Sequence, residues 1–109
     1  MLGSKISAIE YYLPKNKENN AVFKKNNPKV NIERIKEKTG INNRYISGKN
    51  ENVIDISIKA AEKLFQKFSK NKVEFLILVT QTSTYRIPTS ACIIQNKLKL
   101  RNDIIAFDM

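Results

Sequence analysis

The 109-residue chain contains no histidine and no tryptophan, and it has a single cysteine, Cys92. Without histidine, these residues cannot supply an imidazole as a general base, and they lack a common ligand of zinc. One cysteine can build neither an internal disulfide nor a thiolate metal site. The sequence therefore predicts no metal site, and the unpaired cysteine is typical of a cytoplasmic protein.

Glycine and proline are also scarce, with three residues of each, which argues against low-complexity sequence. No apolar run approaches the roughly 20 residues of a membrane span. The N-terminal stretch MLGSKISAIEYYLP lacks the continuous apolar segment of a secretion signal. The length suits one small domain or part of a larger one, and we expect a cytoplasmic location with no membrane partner.

Acidic residues are few: the chain has ten Asp and Glu and twenty Lys and Arg, so its net charge is +10 at pH 7. Two interpretations stay open: a Lys-rich solvated surface, or a surface for nucleic acid, a phosphorylated cofactor or an acidic protein. A basic α/β binding module without catalysis is therefore one hypothesis. Because the sequence has no RNA-recognition aromatic signature, we expect no nucleic-acid partner. A nucleic-acid titration at several salt concentrations would test this alternative.

Helices are predicted where apolar residues recur every three or four positions next to capping residues. The segment NIERIKEKTG has Asn31 as its N-cap and Gly40 at the position that requires a left-handed backbone. The longer segment NVIDISIKAAEKLFQKFS begins after Asn52, and a third helix opens at Pro88 and Thr89. A shorter polar helix or turn is predicted over NKENNAVFKKNNP.

Strands are predicted over KISAIEYYLP, VEFLILVT and DIIAFDM, which are rich in β-forming residues. The second is continuously apolar, which favours a central strand buried on both faces. INNRYIS is predicted as a short extended stretch. The order β-α-α-β-α-β favours an α/β layered fold with some parallel pairing. Because the last strand begins at Ile104 and a loop normally follows such a strand, we expect a part of a longer fold.

Three motifs then occur in a recognisable order. KTGINNRYI at residues 38–46, TQTSTYRIPTSACIIQ at 80–95 and IAFDM at 105–109 together resemble the N-terminal part of β-ketoacyl-acyl-carrier-protein synthase III, a thiolase-like condensing enzyme. The resemblance covers nearly the whole chain. It implies that residues 1–109 are a partial N-terminal domain of a thiolase-like α/β layered fold, incomplete in this chain.

The resemblance also implies an activity for the longer protein. Members of the family condense an acyl-CoA primer with malonyl-acyl carrier protein in fatty-acid or related lipid biosynthesis, as homodimers and without a further cofactor. A cysteine takes the acyl group, and a histidine and an asparagine assist the condensation. The nucleophilic cysteine would lie just beyond the FD strand, about four residues past Met109. These 109 residues thus hold no catalytic group, and we expect them to be inactive alone.

Cys92 matches a position on an earlier helix of the family rather than its nucleophile. Its sequence neighbours Ala91, Ile93 and Ile94 are apolar. A buried apolar site leaves a thiol unreactive. We therefore predict that Cys92 is a buried packing residue.

By the same resemblance, Arg34, Lys38 and Thr39 correspond to residues that touch the CoA nucleotide. The family often has tryptophan in place of Arg34 and arginine in place of Lys38. A guanidinium can also stack on adenine, whereas lysine keeps the charge for phosphate but loses the bidentate geometry. A primer carried by acyl carrier protein instead of CoA is one alternative, and an amphipathic helix with solvated charges is another.

Two further features bear on partners. Residues 15–38 carry eight Lys and Arg against three Glu, which could steer an acidic acyl carrier protein. Ile87 corresponds to a loop residue that in the family reaches across the dimer and closes the partner's acyl pocket, where aromatic residues are common. Because isoleucine is smaller than an aromatic residue, Ile87 predicts room for longer or branched acyl groups. The alternative is that Ile87 is a buried loop anchor.

Overall fold

The computed structural model describes residues 3–109, which fall into two compact units. Leu13–Asn50 form one, here called the inserted unit. Residues 3–12 and Glu51–Met109 belong to the other, here called the main unit. The chain therefore leaves the main unit after Tyr12 and returns to it at Glu51.

The inserted unit contains strand β1 (Asn16–Asn19), helices α1 (Asn20–Asn26) and α2 (Ile32–Thr39), and strand β2 (Asn43–Ile46). The two strands pair antiparallel. The predicted caps of α2 are confirmed, because the Asn31 side chain accepts a hydrogen bond from the Arg34 N–H at 2.9 Å and Gly40 has φ = +69°. The predicted extended stretch is confirmed as β2.

Arg44 of β2 contacts two other elements of the inserted unit, β1 and α1. Its guanidinium lies 4.1 Å from the centre of the Phe23 ring and donates to Asn20 Oδ1 at 2.9 Å. A second guanidinium nitrogen lies 3.7 Å from Glu18 Oε1. A cation–π contact and polar bonds thus join β1, α1 and β2.

The main unit contains helix α3 (Val53–Phe65), a short 3-10 turn (Lys70–Lys72), strand β3 (Phe75–Leu78), helix α4 (Ser90–Lys97) and strand β4 (Ile105–Asp108). The strands form a two-stranded parallel sheet. The side chains of α3, α4 and the sheet share one core, whose buried members are Ile54, Ile94, Leu98, Leu100 and Ile104. This confirms the α/β class and the parallel pairing that the sequence predicts.

The strand predicted over KISAIEYYLP is wrong. None of these residues is in a strand, and the side chains of Ile6 and Ile9 are 81% and 77% exposed. A strand needs a neighbour for its backbone hydrogen bonds, and no strand of residues 3–109 pairs with this segment. The element order is consequently β-α-α-β-α-β-α-β, with the first strand at the polar segment NKEN.

The prediction that VEFLILVT is buried on both faces is also wrong for the described chain. Strand β3 pairs only with β4, and Phe75 and Ile77 remain 58% and 49% exposed. Leu76 and Leu78, on the opposite face, pack against the core. A continuously apolar strand indicates cover on both faces, but among residues 3–109 the helices cover only one.

Lys59 of α3 binds the N-terminal segment of the main unit. Its ammonium donates to Glu51 Oε1 at 2.5 Å and to the Tyr12 hydroxyl at 3.2 Å, and that hydroxyl donates to Glu51 at 2.9 Å. The hydrogen bond to Glu51, followed by that to Tyr12, raises the pKa of Lys59 above its ordinary value of 10.5. Because the pKa is higher in the folded chain, the contact stabilises the fold below pH 10.5 and is lost as the pH rises further.

We therefore expect Lys59→Met to lower the melting temperature at neutral pH, with a difference from the wild type that shrinks above the ordinary lysine pKa of 10.5. Circular dichroism melts between about pH 8 and pH 11 measure this difference. Lys72→Met is the matched control, because Lys72 forms no salt bridge with another described residue. A Lys59→Met difference that is independent of pH would contradict the expectation.

Candidate functional site

The carboxyl ends of β3 and β4 form the first candidate site, in the main unit. The Met109 N–H donates to the Leu78 carbonyl at 2.8 Å, and the Thr80 N–H donates to the Met109 carbonyl at 3.0 Å. The polar loop that leads to α4 starts here. This edge is where α/β folds place their binding and catalytic loops.

Asp108 connects the end of β4 to the start of α4. Its Oδ2 accepts a hydrogen bond from the Ser90 N–H at 2.8 Å, and its Oδ1 accepts one from the Ala91 N–H at 2.7 Å. Thr89 occupies the N-cap position but makes no capping bond with its side chain. The carboxylate of Asp108 therefore supplies the cap, from a residue that the sequence analysis placed only at the end of a strand.

Ser83 and Ser90 join the loop to the same point. The two hydroxyl oxygens lie 3.3 Å apart, and the Ser83 hydroxyl also donates to the Tyr85 carbonyl at 2.7 Å. Ser90 is fully buried. Asp108 thus binds the backbone of the first turn of α4, and Ser83 contacts the Ser90 side chain in the same turn.

Cys92 is exposed, so its predicted burial is wrong. Successive helix residues are rotated by about 100°, so residues adjacent in sequence lie on different faces. Ala91 and Ile94 face the core, whereas Cys92 does not. Its Sγ accepts a hydrogen bond from the Thr89 hydroxyl at 3.2 Å and lies 3.7 Å from the Ala106 carbonyl oxygen.

Ile87 lies in the loop before α4 and is 90% exposed. The alternative of a loop anchor buried within the chain is therefore wrong. An apolar side chain at this edge is accessible to another chain or to a ligand.

Helix α2 carries the second candidate site, in the inserted unit. Arg34, Lys38 and Thr39 line a shallow depression of about 460 Å³, which Val30, Asn31 and Ile35 complete. Arg34 and Lys38 are one helical turn apart, and neither side chain forms a hydrogen bond or ion pair with another described residue. The structure thus brings together the three residues predicted for CoA.

Thr39 differs from the two cations because its hydroxyl is already engaged. It donates to the Ile35 carbonyl at 2.7 Å and accepts from the Ile41 N–H at 3.2 Å. These bonds close the C-terminal turn of α2. Arg34 and Lys38 are therefore the groups free to meet an anionic or aromatic ligand.

Residues 3–109 contain neither a metal-binding cluster nor a membrane-spanning helix. No group of three or more Asp, Glu and Cys side chains there is arranged to hold a metal ion. None of the helices there is long and apolar enough to cross a membrane.

Comparison with known proteins gives a consistent set of relatives, although no family model matches the chain. It is 36% identical over 106 residues to the β-ketoacyl-[acyl-carrier-protein] synthase III of Fusobacterium nucleatum, covering 95% of this chain and 32% of that protein. It is 33% identical over 108 residues to the enzyme of the same name from Histophilus somni, covering 97% and 34%.

Solved structures give the same result. A crystal structure of a 3-oxoacyl-(acyl-carrier-protein) synthase III matches with a TM-score of 0.81 and 36% identity, over 95% of this chain and 32% of that chain. The synthase III of Aquifex aeolicus matches with a TM-score of 0.80 and 32% identity, over 98% and 34%.

The chain therefore spans about a third of the length of the curated relatives that it matches. Its α/β arrangement is the corresponding part of their fold. The resemblance predicted from the three motifs is confirmed: over its own length this chain is similar in sequence and fold to the β-ketoacyl-[acyl-carrier-protein] synthase III proteins.

Proposed function

We propose that the chain is the N-terminal part of a 3-oxoacyl-[acyl-carrier-protein] synthase III-like acyltransferase. The whole protein condenses an acyl primer, carried by CoA or by a carrier protein, with malonyl-acyl carrier protein in fatty-acid or related lipid biosynthesis. The supporting observation is the similarity to synthase III proteins over 95% or more of the chain, in both sequence and fold. Residues 1–109 form one partial thiolase-like domain of this enzyme.

The proposed chemistry begins with a cysteine thiolate about four residues beyond Met109. The thiolate attacks the carbonyl carbon of the acyl thioester, a new sulfur–carbon bond forms, and the CoA thiol leaves. Malonyl-acyl carrier protein then loses carbon dioxide, and its α-carbon attacks the carbonyl carbon of the enzyme-bound acyl group, so that a carbon–carbon bond forms, the bond to the cysteine sulfur breaks and the thiolate leaves. Histidine and asparagine from the rest of the protein stabilise the developing negative charge. The part of this mechanism that falls to residues 1–109 is to bind the primer and to place the strand that leads to the nucleophile.

In this proposal α2 binds the CoA nucleotide. Arg34 stacks on the adenine and Lys38 pairs with a phosphate, because both line the same depression and have no partner among the described residues. Thr39 supports this binding surface indirectly, because its hydroxyl bonds to the Ile35 carbonyl in the last turn of α2, beside Lys38.

Lys38→Gln in the full-length protein is expected to weaken CoA binding about tenfold, since a charge-assisted bond to phosphate is lost. Isothermal titration with CoA measures the affinity. Lys36→Gln is the matched control, because it removes the same charge from the same helix but does not line the depression. Equal losses in the two variants would show that only net charge matters and would contradict the assignment.

The acyl carrier protein is proposed to approach the inserted unit. This unit carries ten Lys and Arg against three Glu, and its net charge of +7 is most of the +10 of the chain. A surface of one sign accelerates encounter with a partner of the opposite sign. We further propose that the whole enzyme is a cytoplasmic homodimer, in which the exposed Ile87 packs against the acyl pocket of the second copy.

A condensation assay tests the function. The full-length protein, supplied with acyl-CoA and malonyl-acyl carrier protein, is expected to form a 3-oxoacyl product. Residues 1–109 alone are expected to form none, because they contain no histidine and their one cysteine is not at the nucleophile position. Turnover by residues 1–109 alone would contradict the proposal.

A further inference from the structure

We propose that Asp108 is a positioning residue, which fixes the end of β4 and so places the reactive turn that follows it. This inference rests on the proposed function, since that function puts the nucleophile shortly after Met109. Asp108 itself need not touch substrate. Its effect on the reaction passes through the backbone.

The first support is the double hydrogen bond to α4. Both carboxylate oxygens of Asp108 accept from backbone N–H groups of the helix, at 2.8 Å from Ser90 and 2.7 Å from Ala91. A carboxylate at this end of a helix is favoured because the first N–H groups have no partner within the helix. The usual local cap is missing, since the Thr89 side chain makes no capping bond. The start of α4 therefore depends on a residue 18 positions away in the sequence.

The second support is that the backbone at the same point is also hydrogen-bonded to the chain at the end of β3. Met109 exchanges hydrogen bonds with the Leu78 carbonyl and the Thr80 N–H of the neighbouring chain segment, at 2.8 and 3.0 Å. The end of β4 is thus tied to the end of β3 through its backbone and to α4 through the Asp108 side chain. A segment that continues from Met109 starts from a fixed position and direction.

The position of the end of β4 is expected to affect the reaction rate. A displacement of about 1 Å in a reacting group can lower a rate about a hundredfold. Removal of the Asp108 carboxylate leaves the Ser90 and Ala91 N–H groups without their partner and frees one of the two attachments of the strand end. We therefore expect slower acylation of the nucleophile with little change in primer affinity, because the proposed CoA residues lie in the inserted unit.

The experiment measures the acylation half-reaction of the full-length protein with acyl-CoA, as kcat and KM, together with the melting temperature. Asp108→Ala is expected to lower kcat about tenfold or more and to change KM less than about twofold. Asp108→Asn keeps one acceptor oxygen for one of the two N–H groups, so its kcat is expected to fall between those of the alanine variant and the wild type.

Asp55→Ala provides the matched control. Asp55 also serves a helix N-terminus, where its Oδ2 accepts from the Asn52 N–H at 3.0 Å as part of the α3 capping box. It lies at the start of α3 rather than at the carboxyl end of the sheet. This variant is expected to lower the melting temperature and to leave kcat unchanged.

Two results would overturn the inference alone: an unchanged kcat in both Asp108 variants of an active enzyme, or an equal loss of kcat in Asp55→Ala. An inactive wild-type protein would instead overturn the proposed function and this inference with it. If Asp108→Ala does not fold, the comparison of Asp108→Asn with Asp55→Ala decides in the same way.

Discussion

Ile94→Ala is expected to destabilise the chain by about 2–5 kcal/mol, because the lost methyl and methylene groups leave a cavity in a close-packed core. Ile94 is 2% exposed and belongs to the cluster that joins α4 to α3 and the sheet. Native domains have free energies of unfolding of only about 5–15 kcal/mol, so the loss would be a large share of the total. Urea denaturation followed by far-UV circular dichroism measures it.

Ile87→Ala is the control for the Ile94 variant. It removes the same groups from a side chain that is 90% exposed, so its effect is expected to stay within about 0.5 kcal/mol. Similar losses in the two variants would mean that the cluster around Ile94 is not the core of the main unit.

Ile87→Phe in the full-length enzyme is expected to shift the acyl-chain preference toward short primers. In the proposed dimer this side chain closes the acyl pocket of the second copy, and a phenyl ring would fill space that isoleucine leaves open. The ratio of kcat/KM for a long or branched acyl-CoA to that for acetyl-CoA is expected to fall about tenfold, a typical discrimination for a change of pocket size.

Ile87→Leu is the control that distinguishes an effect of side-chain volume from a general disruption of the loop, because leucine conserves the volume of isoleucine. Its kcat/KM ratio is expected to stay close to the wild-type value. An unchanged ratio in Ile87→Phe would remove Ile87 from the acyl pocket.

The helix ends of this fold could be predicted because their signals are local. Asn31 and Asn52 cap helices whose first N–H groups lie two or three residues away, and Gly40 adopts the left-handed backbone that ends α2. Each signal acts within one helical turn. The common surface of Arg34 and Lys38 could be predicted for the same reason, since the helical period alone places them together.

The errors concern contacts that the sequence does not encode locally. KISAIEYYLP has the composition of a strand, but a strand also requires a neighbour, which residues 3–109 do not provide. β1 was missed because its residues NKEN lack the alternation of apolar and polar side chains by which strands are recognised.

Cys92 and Asp108 illustrate the same limit within the candidate site. The apolar residues Ala91 and Ile94 lie on another face of α4 than Cys92. The local composition therefore predicts a buried cysteine, whereas the helix leaves Cys92 exposed. Asp108 caps a helix that begins 18 residues before it, and nothing in the local sequence of either segment indicates this pairing. The structure was therefore needed to find the residue on which the proposed reactive turn depends.

Identifying the residue that carries the acyl group tests the proposed synthase function most directly. The protein translated from the reading frame through and beyond Met109 is incubated with acyl-CoA, and peptide mass spectrometry locates the thioester. A cysteine about four residues after Met109 is expected to carry the acyl group, and Cys92 is expected to be unmodified. A reading frame that stops at Met109, or an acyl group on Cys92, would contradict the proposed function.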